Sequence, residues 1–246
     1  MNQPTSHHYL LIHGAWHDGA LMEPVAIHIR SAGHVCHTLT LVGNRPEDDR
    51  NQVTLSQVIA GVKDYIETNN LQHLRLVGHS FGGMVISKLA ELIPERVHRL
   101  VYWSAFVPKS GECVLDMMPD YVRQNFEFQA KEHHNHLRLS FESWRELFMN
   151  DASYELARST FKQLNPQGFL TFEEPLLLET ELLKQRIKKS YIYPTSDTAL
   201  PHSLPWHPRL SERLGNFRLV MCEGGHELCF TNPSLIAQKI IEAGRD

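Results

Sequence analysis

Cysteine is scarce in this sequence, with four residues in 246. Cys36, Cys113, Cys222 and Cys229 are widely spaced and form no C-x-x-C pair. That excludes a disulfide scaffold and argues against a zinc knuckle or a redox dithiol, leaving them as small buried hydrophobes. Long apolar runs are also missing: none approaches the ~18 residues of a membrane span. A basic excess is absent, since 24 Lys and Arg face 28 Asp and Glu for a net charge of −4, so no nucleic-acid surface is expected. The short basic cluster Lys184–Lys189 is flanked by acids and reads as a solvated helix face. The opening stretch MNQPTSHHYLLIHG has neither a basic n-region nor an apolar h-region, so no signal peptide is expected and a cytoplasmic chain is. What remains is an ordinary globular balance, 42% hydrophobic and 21% charged.

Histidine is plentiful, with 16 residues, and invites a metal reading. His133, His134 and His136 cluster in a polar stretch without a nearby Cys or Asp to complete a site. His13 and His17 have i, i+4 spacing but lack the Glu of H-E-x-x-H and straddle a loop. Neither a metal nor any other cofactor is expected.

Short β-branched or apolar runs alternate with helical patterns, the mark of a parallel α/β sheet. Strands are expected at His8–His13, Cys36–Val42, Leu74–Gly78, His98–Phe106, Lys189–Tyr193 and Phe217–Cys222. Helices are expected at Leu21–Ala32, at Thr54–Asn69 with Thr54 as N-cap, at Phe81–Ile93, near Leu210–Leu214 and at Pro233–Ala243. Between Pro108 and Lys188 the alternation breaks, and only helical stretches such as Phe141–Met149 and Asp151–Leu164 are expected. The fold class is therefore α/β, a mostly parallel six-stranded sheet flanked by helices. Residues 1–107 and 189–246 form its core, and 108–188 a helical cap inserted after the fourth strand.

The strongest local signal is Gly78-His79-Ser80-Phe81-Gly82-Gly83, a G-x-S-x-G motif between a buried strand and an amphipathic helix. Its glycines permit a sharp turn that lifts the serine hydroxyl to a helix N-terminus, where negative charge is favoured. Such a serine needs a base, and the base an orienting acid. Asp197 follows the fifth strand and His226 the sixth, in the chain order Ser, Asp, His. No carboxylate follows the fourth strand until Glu112, and His202 and His207 lie in a Pro-rich loop with no strand before them. The first strand ends in His13-Gly14-Ala15-Trp16, where a backbone N–H of Ala15 or Trp16 could join that of Phe81 as an oxyanion hole. His13 is expected to brace this loop rather than react.

These segments resemble the α/β-hydrolases, and within them the hydroxynitrile lyase and plant methylesterase group with its bacterial salicylate-esterase-like branch. LLIHGAWH, LVGHSFGG, YIYPTSDTALP and GGHELCFTNP carry the likeness, and LNPQGFLTFEEPL extends it into the cap. Lyases of the group have Glu before the nucleophile, Thr in the first loop and Lys after the histidine. Here those positions hold His79, Ala15 and Glu227, and an acid after the histidine opposes cyanide release. Cofactor-free dioxygenases of this fold carry S-H-S-H-G-G instead. The resemblance implies a serine esterase, with Ser80, Asp197 and His226 as triad and a small, apolar or aromatic ester as partner.

Phe126, Phe128, Trp144 and Phe148 of the cap are candidates for the substrate pocket, with packing in the cap's own core the more ordinary reading of each. No nucleic acid or membrane partner is expected, and a homodimer stays open. Thioester, lactone or carbon–carbon hydrolysis by the same triad, or a ligand receptor on a hydrolase scaffold, remain alternatives.

Overall fold

The computed structural model describes residues 6–246. Six strands pair in parallel throughout: β1 (His8–Ile12), β2 (Val35–Thr38), β3 (Leu74–His79), β4 (Val97–Trp103), β5 (Lys188–Pro194) and β6 (Arg218–Cys222). Their order across the sheet is β2-β1-β3-β4-β5-β6. The order reverses between β1 and β3, so the loops leaving those neighbours diverge and open a crevice at their carboxyl ends.

Alternation along the strands sorts side chains to two cores, because successive residues face opposite sides of a sheet. Tyr9, Leu11, Val77, Val101, Trp103 and Ile192 face one side, where α1 (Glu23–Ser31) and the last helix, Pro233–Gly244, cover them. Leu10, Ile12, Leu76, Leu100, Tyr102 and Tyr191 face the other, under α2 (Leu55–Thr68) and α3 (Gly82–Leu92). Burial on both faces explains why β3 is buried at every residue. Thr54 caps α2 in a reciprocal capping box with Gln57, as its position before the apolar run implies.

The second strand is shorter than the apolar run Cys36–Val42 suggests. Beyond Thr38 the backbone turns away to other partners: the Leu41 amide donates to His13 Nε2 at 3.0 Å, and Thr40 Oγ1 accepts the Gly19 amide at 3.1 Å. The fourth strand likewise stops at Trp103, before Ser104 takes a φ of +41°.

The segment between β4 and β5 departs from expectation in two ways. It contains an antiparallel pair of two-residue strands, His136–Leu137 and Gln167–Gly168, too short to give a period-2 pattern. The expected helix Phe141–Met149 is one α turn followed by a π-helical turn, Trp144–Phe148. The longest helix there, α4 (Asp120–Glu132), buries only Phe126 and Ala130 and so carries a faint apolar stripe.

Gly83 sits where α3 meets the loop after β4. A Cβ there would lie 2.1 Å from the Phe106 carbonyl oxygen, so backbone would have to move. Gly83→Ala is expected to cost about 2–3 kcal/mol by overpacking, read as a lower urea midpoint with an unchanged m-value.

Candidate active site

Ser80 occupies the turn from β3 into α3 with a φ of +51°, a left-handed conformation uncommon for a side-chain-bearing residue. Three backbone hydrogen bonds hold it there. Its amide donates to the Trp103 carbonyl, and its own carbonyl accepts from the Gly83 and Phe106 amides, each at 3.1 Å. The turn is tight because strand and helix nearly touch: a Cβ on Gly78 would lie 2.6 Å from the Gly82 carbonyl oxygen. The G-x-S-x-G glycines are thus steric necessities of this turn. Ser80 retains 8% exposure, enough for its hydroxyl to line a cavity.

Asp197 and His226 lie beyond the ends of β5 and β6. His226 Nδ1 donates to Asp197 Oδ2 at 2.7 Å, and both side chains are buried. Asp197 Oδ1 also accepts the Ala199 amide at 2.9 Å, which fixes the carboxylate plane. Burial alone would lower the pKa of His226. The Asp197 charge and hydrogen bond, helped by Glu227, outweigh it and hold the imidazole above its usual value. The two loops are stitched together, with the Ser196 amide donating to the Gly224 carbonyl at 3.0 Å and the Thr195 amide to the Cys222 carbonyl at 2.9 Å. They are also clamped from the β4–β5 segment. Asn150 Nδ2 donates to the Ser196 carbonyl at 2.8 Å, and the Gly225 amide donates to Asp151 Oδ2 at 2.7 Å.

The loop after β1 is braced as expected. His13 is fully buried, Nδ1 donating to the Gly14 carbonyl at 2.8 Å while Nε2 accepts the Leu41 amide. Burial drives its pKa down to about 3, so it stays neutral. Trp16, however, does not offer its amide to the site: that N–H donates to Gln167 Oε1 at 3.2 Å. Gln167 is 151 residues away in sequence, which is why local motif reading kept Trp16 as a donor. Among the described residues, the amides of Ala15 and Phe81 meet no protein acceptor. Those two amides are thus free to donate to a ligand, and Trp16 contributes to the cavity wall instead.

Ser80 opens on an inner cavity of about 20 Å³ whose walls include Ala15, Phe81, Phe106, Phe172, Phe148 and Trp206. His226 lies against two of these, its ring 5.3 Å from Trp206 in a stacked geometry and 5.5 Å from Phe148 edge-on. Trp16, Met118, Phe148 and Leu200 separate this chamber from an outer cleft of about 560 Å³ under α4. Of the four cap residues named from the sequence, Phe126 and Phe148 line this cleft.

Phe128 and Trp144 do not. Phe128, two residues from Phe126 on α4, points to the opposite helix face and is 62% exposed. Trp144 is fully buried, its Nε1 donating to the Ala157 carbonyl at 3.1 Å within a separate small core. Phe106, Phe172 and Trp206 were not singled out from the sequence, because each lies in or beside a loop with no periodicity to mark it.

Comparison with known proteins places the chain in a family. The model of the alpha/beta hydrolase family matches residues 9–239. A carbendazim hydrolyzing esterase of Nocardioides sp. is 30% identical over 246 residues, covering 96% of this chain and 99% of its own. An alpha-hydroxynitrile lyase of Arabidopsis thaliana is 26% identical over 214 residues, covering 79% and 81%. Among solved structures, an alpha/beta-hydrolase from a Paenibacillus species superposes with a TM-score of 0.93 at 34% identity, covering 98% of this chain and 100% of that one. It is described as extracellular and as sharing structural and functional homology with tobacco salicylic acid binding protein 2, whereas the opening stretch of this sequence leads to the expectation of a cytoplasmic chain. Among the described residues no helix is long and apolar enough to cross a membrane. With a family model spanning most of its length and a relative matched from end to end, this chain belongs to the alpha/beta hydrolase family.

Proposed function

We propose that the protein hydrolyses a small carboxylic ester by acyl transfer through Ser80. The observation that carries this reading is the buried 2.7 Å pair of His226 and Asp197 beside the chamber onto which the kinked Ser80 opens. His226 Nε2 takes the Ser80 proton as Oγ attacks the ester carbonyl, and the oxyanion settles between the Phe81 and Ala15 amides. Collapse of the tetrahedral species breaks the C–O bond, and His226 returns its proton to the departing alcohol. Water, deprotonated by the same histidine, then releases the acid and restores Ser80.

The two-tier cavity supports a division of the substrate. An inner space of about 20 Å³ suits a small acyl group, and its aromatic walls suit an apolar one. The outer cleft, about 560 Å³, has room for a bulkier leaving alcohol. Residues 108–188 act as the cap in this reading, since α4 and Phe148 roof the outer cleft while Asn150 and Asp151 fasten that segment to the catalytic loops. A lyase is disfavoured by the residues at the three diagnostic positions, His79, Ala15 and Glu227, the last of which is a buried anion beside the base.

Release of p-nitrophenol from p-nitrophenyl esters tests the proposal. Activity is expected on the acetate, with at least a tenfold lower kcat/KM on the decanoate, and Ser80→Ala should abolish it. Turnover that survives in Ser80→Ala, or an inert wild type, would overturn the mechanism.

Asp197→Asn should lower kcat by about 10³–10⁴-fold, because the histidine loses both its orienting acceptor and the charge that stabilises its protonated form.

The pH profile provides a separate check. His226 works as a base only when neutral, so kcat/KM should fall on the acid side through a pKa above the usual histidine value. In Asp197→Asn the residual activity should show that limb displaced to lower pH, since the raising charge is gone.

A further inference from the structure

Behind the catalytic histidine lies a second acid–base pair that the mechanism above does not use. His17, in the loop after β1, places Nε2 3.0 Å from Glu227 Oε2, and Glu227 immediately follows His226. Each side chain is 1% exposed. His17 Nδ1 donates to the Ala15 carbonyl at 2.7 Å, so the same ring grips the backbone next to the oxyanion donor. Phe230 stacks on the imidazole at 5.6 Å, and the Trp144 ring lies 5.9 Å away on a tilted plane.

The pair is ionic. Burial would lower the pKa of His17, but the Glu227 charge and proximity raise it instead. Burial would raise that of Glu227, yet His17 above all brings it down to about 2. A buried ion pair seldom improves stability over an apolar replacement, because desolvating two charges offsets their attraction. Its retention here therefore points to a role other than stability.

Its position suggests that role. The groups facing His226 are Asp197 from the loop after β5, His79 from β3, His17 from the loop after β1, and Glu227 from its own loop. His79 is fully buried and held neutral chiefly by that burial, its Nε2 donating to the His226 carbonyl at 3.2 Å. A Glu227 carboxylate oxygen lies within 4.8 Å of ring nitrogens of both His79 and His226.

We propose that the buried His17–Glu227 ion pair is a positioning device, tying the Ala15 oxyanion loop to the His226 loop and balancing the charge felt by His226. It rests on the reading of His226 as the general base. Neither residue touches substrate. Their joint effect is to keep the oxyanion amide and the base at a fixed separation while neither charge acts on the base alone.

The test is the pH dependence of p-nitrophenyl acetate hydrolysis by the full chain carrying Glu227→Gln, Glu227→Asp or His17→Gln. Each rate is normalised to active sites counted by a fluorophosphonate probe. Glu227→Gln removes the charge that favours protonated His226 and lets burial discharge His17, whose opposing effect on His226 is the smaller, so the acid limb should shift down by up to about one pH unit. Removing the cation leaves the anion unopposed, so His17→Gln should shift the limb up. In both, kcat should fall about tenfold with KM little changed, as expected when only transition-state alignment is lost. Glu227→Asp, which keeps the charge, should restore the wild-type limb.

Residues that merely support the fold would lower the count of active sites without moving the limb in opposite directions. Limbs that stay put, or move together, would overturn the proposal. If His17→Gln fails to fold, the contrast between the two Glu227 variants decides: a limb lowered in Gln and restored in Asp supports it, and any other result overturns it. Ser80→Ala is the parallel control. Activity in that variant, or a wild type with no acid limb, would count against the general-base reading itself rather than against the pair.

Discussion

The site is organised around a backbone that is bent against its preference. A serine at a φ of +51° is held by the Trp103 carbonyl and the Gly83 and Phe106 amides, contacts supplied by β4, by α3 and by the loop after β4. Such a conformation costs about 1–2 kcal/mol for a residue with a Cβ, so it persists only where its surroundings over-determine it. The demands spread outward. β3 must be buried on both sides, Gly78 and Gly82 must let strand and helix touch, and Gly83 must clear the Phe106 carbonyl. The helix then begins two residues after the serine, at Gly82, and among the described residues the Phe81 amide meets no protein acceptor.

The parallel sheet delivers the remaining groups to the same edge. Ser80, Asp197 and His226 all follow carboxyl ends of strands, and the reversal between β1 and β3 sets the Ala15 loop beside the serine. Charge is managed by pairing. Asp197 and His226 form one buried pair, His17 and Glu227 another, and the ring of the neutral His79 lies 4.7 Å from that of His226 at a tilt. A charge buried among these side chains needs a partner, and each carboxylate here faces an imidazole.

Much of this was legible in the sequence, for identifiable reasons. The strand core shows because residues buried on both faces read as unbroken apolar runs, and Ser80, Asp197 and His226 stand out as candidates because chain order and strand ends constrain where an acid and a base can stand. What escaped was decided over long sequence separations or by a single helical turn. The Trp16 amide is claimed by Gln167 from a two-residue strand no pattern announces. Phe126 and Phe128 are equally aromatic, and only the phase of α4 separates wall from surface. Trp144 is drawn inward by a π-helical turn and by the Ala157 carbonyl. Glu227 was readable as an unusual neighbour of the histidine, but its partner His17 lies 210 positions earlier and across the sheet.

The contacts of Asn150 and Asp151 bear on how such a protein can diverge. The segment that roofs the cleft would be a natural unit to exchange, since its helices set the shape of the outer space without supplying a reacting group. Yet two of its consecutive side chains fasten the Ser196 carbonyl and the Gly225 amide, each one residue from a member of the acid–base pair. A graft that replaces the roof wholesale removes those anchors with it. New specificity is therefore more accessible through changes on α4 and around Phe148 that leave this dipeptide in place, so the roof is modular only above its hinge to the loops below.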